Sequence, residues 1–174
     1  MELLVGCGTN RKKRLAYPNR REWRDLVTLD MNEDHKPDVV WDLEKMPLPF
    51  DDNTFEEIHA YDVLEHMGQQ GDWRFFFKQW MEFYRLLKHG GVFFGICPSP
   101  DSPWAWGDPG HTRMLTPASL IYLVQPEYTK QVGKTAMTDY RFAYAGDFEI
   151  ENSQLDGEQF AFTLRAVKPS RMAR

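Results

Sequence analysis

The sequence predicts an α/β domain, a mainly parallel central sheet that closes on a C-terminal antiparallel hairpin. Three observations carry that prediction. A short apolar run, Leu3-Leu4-Val5, ends on Gly6-Cys7-Gly8, the form of a buried parallel strand that opens a ligand loop. Two later apolar runs each end on an acid, at Asp30 and at Asp42. A strongly amphipathic helix then leads into another buried strand, and the chain finishes with residues that alternate onto one face.

Each element follows from its own residues. The glycines after Leu3-Leu4-Val5 let the backbone approach a ligand with no Cβ in the way. Pro18 limits any helix between Arg11 and Arg24 to a short one. Asp25 to Asp30 and Pro37 to Asp42 are predicted as the second and third strands, and Phe55 to Tyr61 as the fourth, preceded by the turn Phe50-Asp51-Asp52-Asn53. Asp72 stands at an N-cap position before a helix in which Trp73, Phe76, Phe77, Trp80, Met81, Tyr84 and Leu87 form one stripe. A stripe of that spacing is core. Lys88, His89 and Gly90-Gly91 are predicted to end this helix, and Val92 to Cys97 form the fifth strand. Pro98 to Pro117, rich in Pro and Gly and carrying Trp104 and Trp106, reads as a lid or a recognition loop. Pro117 to Gly133 is helical with a break near Pro126. Phe148 to Leu155 and Glu158 to Lys168 make a hairpin across Asp156-Gly157.

Composition narrows the class. The chain has 174 residues, 42% hydrophobic and 27% charged, a length that suits one domain spanning 1–174. With 6 Trp, 7 Tyr and 12 Phe it carries too much aromatic surface to stay unfolded. Its most apolar stretch, Val92 to Cys97, is far shorter than a membrane span requires. Met1 runs almost directly into the first strand, which leaves no room for a signal or transit peptide. Cys7 and Cys97 make no disulfide scaffold, no Cys/His spacing matches zinc, and no metal is expected. The expectation is a soluble, cytoplasmic, single-domain protein.

The charge is unevenly distributed. The net charge is -5, yet Arg11, Lys12, Lys13, Arg14, Arg20, Arg21 and Arg24 are opposed only by Glu22 in their own segment. Between Asp25 and His66, thirteen acids face only Lys36 and Lys45. The acidic stretch reads either as solvated surface or as a site that holds a cation.

In a sheet of this kind ligands bind outside the carboxyl ends of the strands. Those ends are Gly6-Cys7-Gly8, Asp30, Asp42, Tyr61-Asp62 and Cys97-Pro98. An acid ending the second strand, 22 residues after Gly8, suits the two hydroxyls of a ribose, which nicotinamide cofactors and S-adenosylmethionine share. The glycine fingerprint stops at Gly-x-Gly, Pro18 interrupts the next segment, and acids line the crevice. All three favour a sulfonium and an ammonium over a pyrophosphate.

With Leu4-Val5-Gly6-Cys7-Gly8, Leu29-Asp30, Asp42-Leu43, Pro47 to Phe55, Val63-Leu64-Glu65-His66 and Tyr84 to Gly91 in this order, residues 3 to 97 resemble the class I S-adenosylmethionine-dependent methyltransferases, in particular the small type 11-like branch. The resemblance implies a Rossmann-like fold, S-adenosyl-L-methionine as cofactor and S-adenosyl-L-homocysteine as product. It implies that Gly6, Cys7 and Gly8 back onto the methionine part, that Asp30 holds the ribose and Met31 packs on the adenine. Asp42 would accept from the adenine amino group, and Leu43 would offer its backbone amide to the ring. Ala60, Tyr61 and Asp62 would close the site near the sulfonium. Leu4, Asn10 and His89 stand where the family often has an acid, a third glycine and a proline. The N-terminal helices that cover the cofactor in many relatives are expected to be lacking. The cover would then come from the 98–117 loop or from another subunit, a homo-oligomer included.

Methyl transfer needs alignment and exclusion of water, and a base only where the acceptor must lose a proton. His111 and His66 are the candidate bases, with Asp108 and Asp62 behind them. Trp104, Trp106 and Arg113 are candidate acceptor-binding residues. Cys97, followed by Pro98 and without a second cysteine after the fourth strand, is not expected to act as a nucleophile. The expected acceptor is a small molecule, methylated on oxygen or nitrogen. The alternatives are an RNA methyltransferase, with nucleic acid tracked by Arg11 to Arg24, and a non-catalytic cofactor-binding subunit.

Overall fold

The computed structural model describes residues 1–172. A seven-stranded sheet forms the middle of the molecule, in the order β3-β2-β1-β4-β5-β7-β6. Its strands are β1 (Glu2–Val5), β2 (Leu26–Asp30), β3 (Val39–Val40), β4 (Phe55–Tyr61), β5 (Leu87–Pro98), β6 (Phe148–Leu155) and β7 (Gln159–Ala166). The first five pair in parallel, and β7 runs antiparallel to both β5 and β6. The helices are α1 (Trp73–Leu86), α2 (Pro103–Gly107), α3 (Pro117–Ile121) and α4 (Gln125–Gln131). Among the described residues no helix precedes β1, and none is long and apolar enough to cross a membrane.

One face of the sheet carries the larger core. Leu3, Val5, Ile58, Phe93 and Phe162 meet Phe77, Trp80, Phe83 and Leu86 of α1, with Leu120 of α3 at its edge. Each such side chain contributes about 1.5–3 kcal/mol on burial. Gly95 makes room for this packing, because a Cβ there would lie 2.1 Å from Phe162 Cζ. Asp72 caps α1 by accepting from the Phe75 amide at 3.0 Å.

The helix stops earlier than its sequence suggests. It ends at Leu86, and Leu87 is already extended, so the expected stop at Gly90-Gly91 is displaced into β5. The amides of Asn53 and Thr54 take the carbonyls of Arg85 and Leu86 at 2.9 Å each. Those bonds satisfy the orphan acceptors of the last turn and let Leu87 pair with Phe55. The predicted third strand likewise shrinks to Val39–Val40, and the break expected near Pro126 falls at residues 122–124, with Pro126 itself in the first turn of α4.

Among the described residues, no helix covers β1 and β4 on the opposite face. That face is covered by residues 11–24, which have no regular structure. Leu15 and Trp23 pack there on Leu4, Cys7, Tyr61 and Ile96. Beneath them lies an ion network. Lys13 Nζ sits 2.7 Å from Glu57 Oε2 and 3.0 Å from Glu2 Oε1, and Arg20 reaches Glu57 at 3.3 Å. His59 shares Glu57 Oε2 at 3.0 Å, and its other ring nitrogen meets the Tyr61 hydroxyl at 2.6 Å. Burial pushes the Glu57 carboxyl up, but the hydrogen bonds from His59 and Lys13 outweigh it and hold the group down at about 2. Part of the uneven charge of the sequence is thus an internal pairing, in which Lys13 and Arg20 of the basic segment meet acids of the first and fourth strands.

Cys7 and Cys97 are both buried and free; Cys7 lies just beyond the end of β1 and Cys97 on β5, with β4 between these two strands. Burial pushes the Cys97 thiol far above its ordinary value, the opposite of what a thiolate nucleophile needs.

Candidate functional site

The carboxyl ends of β1, β2 and β4 open onto a cleft of about 640 Å³. Its floor is the turn after β1. Gly6 and Gly8 both have positive φ, 58° and 52°, a region glycine enters without strain. At Gly6 the glycine is also required by space, because a Cβ would lie 2.3 Å from Val63 Cγ2. Cys7 lends only backbone to this turn, since its side chain packs on the opposite face.

Asp30 anchors the turn. Its Oδ2 accepts from the Gly8 amide at 2.8 Å and its Oδ1 from the Asn32 amide at 2.9 Å. His35 Nδ1 lies 3.2 Å from Oδ1. Burial raises the carboxyl's pKa, but the two amides and His35 prevail and leave it below its ordinary value. Asp30 therefore stays ionised and keeps acceptor capacity on both oxygens. Met31, 71% exposed, Trp41, Asp42 and Leu43 form the next wall, and Asp42 Oδ1 accepts from the Glu44 amide at 2.9 Å. Gly6, Gly8, Asp30, Met31, Asp42 and Leu43, all named from the sequence, thus line one cavity. Asn32, His35, Trp41, Val63 and Met67 line it too. They carry no sequence signal beyond lying next to the strand ends.

A second cleft, about 420 Å³, lies beyond β4 and β5 and is lined by Asp62, Glu65, His66, Ser102, Trp104 and His111 among others. His66 is on the wall of both clefts. Asp62, with φ 53°, turns the chain here and is ion-paired to Arg14 of the covering segment. A single helical turn, Leu64–His66, follows β4. It meets the loop between α2 and α3, whose Thr112 and Arg113 amides both donate to the Glu65 carbonyl.

His66 and His111 stand edge to face, ring centroids 4.6 Å apart. His66 Nδ1 is 3.1 Å from the Gly110 carbonyl and His111 Nδ1 is 3.3 Å from the Ala105 carbonyl. His111 Nε2 looks toward Asp108 at 3.8 Å and Glu65 at 4.0 Å. The Glu65 carboxyl is buried with no hydrogen-bond partner on either oxygen. Burial above all, with Asp62 and Asp108 adding, pushes it up to about 7.

Four residues named from the sequence lie elsewhere. Tyr61 points to the far face, where its hydroxyl takes the Leu15 amide at 3.1 Å, because neighbouring strand residues face opposite ways. Ala60 is buried in the core beside α1. Trp106 lies outside both clefts, its indole donating to the Pro100 carbonyl at 3.1 Å. Arg113 is buried, and its guanidinium is taken by the Leu64 carbonyl and Gln79. It borders a separate aromatic hollow with Trp73, Phe77 and Tyr140. Part of the basic segment is also engaged: Lys13, Arg14 and Arg20 are ion-paired, and Arg11 donates to the His35 and Lys36 carbonyls, while Lys12, Arg21 and Arg24 are exposed.

A family model described as a methyltransferase domain matches residues 3–95. No curated protein matches the chain in sequence. Among solved structures, the chain is similar to a SAM-dependent methyltransferase from Archaeoglobus fulgidus, at 15% identity and a TM-score of 0.58, over 94% of this chain and 85% of that one. It is also similar to a SAM-dependent methyltransferase from Aquifex aeolicus, at 12% identity and 0.57, over 95% and 81%. A third likeness is to a chain of the complex between the Haloferax volcanii Trm112 methyltransferase activator and a methyltransferase, at 13% identity and 0.56, over 95% and 82%. At these identities the likeness speaks for the fold.

Proposed function

The chain belongs to the methyltransferase-domain family, with S-adenosyl-L-methionine as its cofactor, and on that premise we propose that it methylates an oxygen or nitrogen atom of a small-molecule acceptor held in the cleft of Trp104 and His111. The observation that carries this reading is His66, which borders both the cleft of Gly6, Gly8 and Asp30 and the cleft beside it. A methyl donor in the first is thereby next to an acceptor in the second.

In this reading the ribose hydroxyls donate to Asp30, whose oxygens already fix the loop that receives the methionine part. Asp42 faces the adenine, and Met31 covers it. The acceptor's lone pair forms the new bond to the methyl carbon while the C–S bond breaks. Bound in the first cleft, S-adenosyl-L-methionine would supply an electrophilic methyl group and take the electron pair of the broken C–S bond onto sulfur. A hydroxyl acceptor passes its proton to His111 Nε2, whose other nitrogen is tied to the Ala105 carbonyl, with Asp108 3.8 Å away to balance the imidazolium. Pairing of Lys13, Arg14 and Arg20 with Glu2, Glu57 and Asp62 leaves Lys12, Arg21 and Arg24 as the exposed cations of the segment outside those pairs, a small footprint for tracking phosphates.

Transfer of a labelled methyl group from the cofactor into separate pools of small molecules, RNA and protein tests the reading. Label in the small-molecule pool, abolished by Asp30→Ala, is the expected result. Label confined to RNA or protein would overturn the acceptor class, and no cofactor binding by calorimetry would overturn the whole.

A further inference from the structure

We propose that Glu65, His66 and His111 form a binding site for one divalent first-row transition-metal cation, with Asp108 as an available fourth ligand. The donors come from two segments, the helical turn after β4 and the loop between α2 and α3, so no local spacing announces them. Folding brings one ligand atom of each of the three to within 4.8 Å of the others. His111 Nε2 is 4.0 Å from Glu65 Oε1 and 3.8 Å from Asp108 Oδ2. Donors at about 2.1 Å from a common ion lie about 3.4 Å apart in tetrahedral geometry. Binding an ion would therefore draw those two pairs together by roughly half an ångström, and the widest pair by up to about 1.4 Å.

Two independent features point to a ligand. The first is Glu65. Its side chain is 3% exposed, both oxygens lack a partner, and the residue lines the cleft. Buried carboxylates are normally paired or bound to metal. The one buried cation close by, Arg113, is already committed to Leu64 and Gln79.

The second feature is the setting of the imidazoles. Each has its Nδ1 against a backbone carbonyl, Gly110 for His66 and Ala105 for His111. A carbonyl there keeps the proton on Nδ1 and leaves the Nε2 lone pair free, the support that metal-bound histidines have. Two imidazoles with one or two carboxylates and no thiolate suit zinc(II), cobalt(II), manganese(II) or iron(II) rather than a soft ion. The open side of the set is the 420 Å³ cleft. An ion there would use the same His111 Nε2 that takes an acceptor's proton in the metal-free protein, so the two roles exclude each other.

The test needs neither cofactor nor acceptor, and its result is independent of the methyl-transfer reading. Tag-free protein stripped with a chelator is titrated with cobalt(II) alone, followed by visible d–d absorption, and the ion is then displaced with zinc(II). The expected result is one saturable equivalent, with affinity falling at least about tenfold in Glu65→Gln and in His111→Ala and unchanged in Trp106→Ala. Circular dichroism of the metal-free variants checks that each folds. If Glu65→Gln does not, His66→Gln and His111→Ala decide the matter between them. The absence of a saturable d–d band would overturn the proposal. Equal affinity in wild type and variants would overturn it too, as that marks an adventitious ion on surface carboxylates.

Discussion

The amide of Gly8 donates to Asp30 Oδ2 at 2.8 Å, which joins the loop after β1 to the end of β2 before any ligand arrives. Asp30 therefore has two functions in one side chain, shaping the cradle and offering acceptors to a ribose. Asp30→Ala removes both. Calorimetry with S-adenosyl-L-homocysteine should show affinity reduced at least about tenfold, the loss of one to two charge-assisted hydrogen bonds. Unchanged affinity would remove Asp30 from the cofactor site.

Two glycines in the same turn should respond differently to alanine. Both have positive φ, which costs a non-glycine residue about 1–2 kcal/mol. At Gly8 nothing lies within 4 Å of the added Cβ, whereas at Gly6 it meets Val63 Cγ2 at 2.3 Å. Gly6→Ala adds overpacking of about 1–3 kcal/mol and displaces the cleft wall. Urea unfolding should rank Gly6→Ala clearly below Gly8→Ala, and only the former should abolish cofactor binding. Equal losses would mean that Val63 gives way freely.

The sequence carried the strand ends well because short apolar runs that stop on Gly or Asp leave few other readings. Asp30 and the paired glycines fall where those runs predict, while Asp42 lies two residues past a shorter β3. Tyr61 and Ala60 did not enter the cavity, because nearness to a strand end does not say which face a side chain takes. Trp106 and Arg113 lie outside both clefts for a related reason. Loop composition marks residue types suited to recognition, yet Trp106 turns outward and Arg113 inward to the Leu64 carbonyl. Glu65 entered only as one residue of the motif Val63-Leu64-Glu65-His66, because its significance rests on burial without a partner, which no sequence pattern shows. The charge asymmetry was visible, but its cause spans 44 residues from Lys13 to Glu57 and needed the fold.

That pairing sets the acid limit of stability. Glu57 is buried, and its pKa is lowered from an ordinary 4.5 to about 2 by His59 and Lys13 against the opposing effect of burial. A carboxyl lowered on folding contributes stability that is complete above its unfolded value and disappears as pH falls through the folded one. The loss should therefore run from about pH 4.5 downward and approach roughly 3 kcal/mol by about pH 2. His59, held below its ordinary value chiefly by burial, adds a loss of the same sign that begins at higher pH. Urea midpoints across this range should fall steeply in wild type and less so in Glu57→Gln, which starts lower because buried Lys13 loses one of its two counter-charges. Parallel curves for the two proteins would locate the acid sensitivity elsewhere.

Trp104 and Trp106 are two residues apart on α2 and both are largely exposed, 69% and 76%. Exposure alone does not distinguish them, but their surroundings do. Trp104 lines the cleft with His66 and His111, while Trp106 is turned back onto the Pro100 carbonyl. An acceptor seated on the Trp104 ring should lose about 1–2 kcal/mol of binding in Trp104→Ala, a KM raised about tenfold. Cofactor affinity should stay within about twofold of wild type, because the ring lines the second cleft and not the first. Trp106→Ala should leave both quantities unchanged. Steady-state kinetics with the identified acceptor, beside calorimetry for the cofactor, separate the cases: an effect of Trp106→Ala equal to that of Trp104→Ala would mean that the acceptor binds across the outer surface of α2 and not inside the cleft.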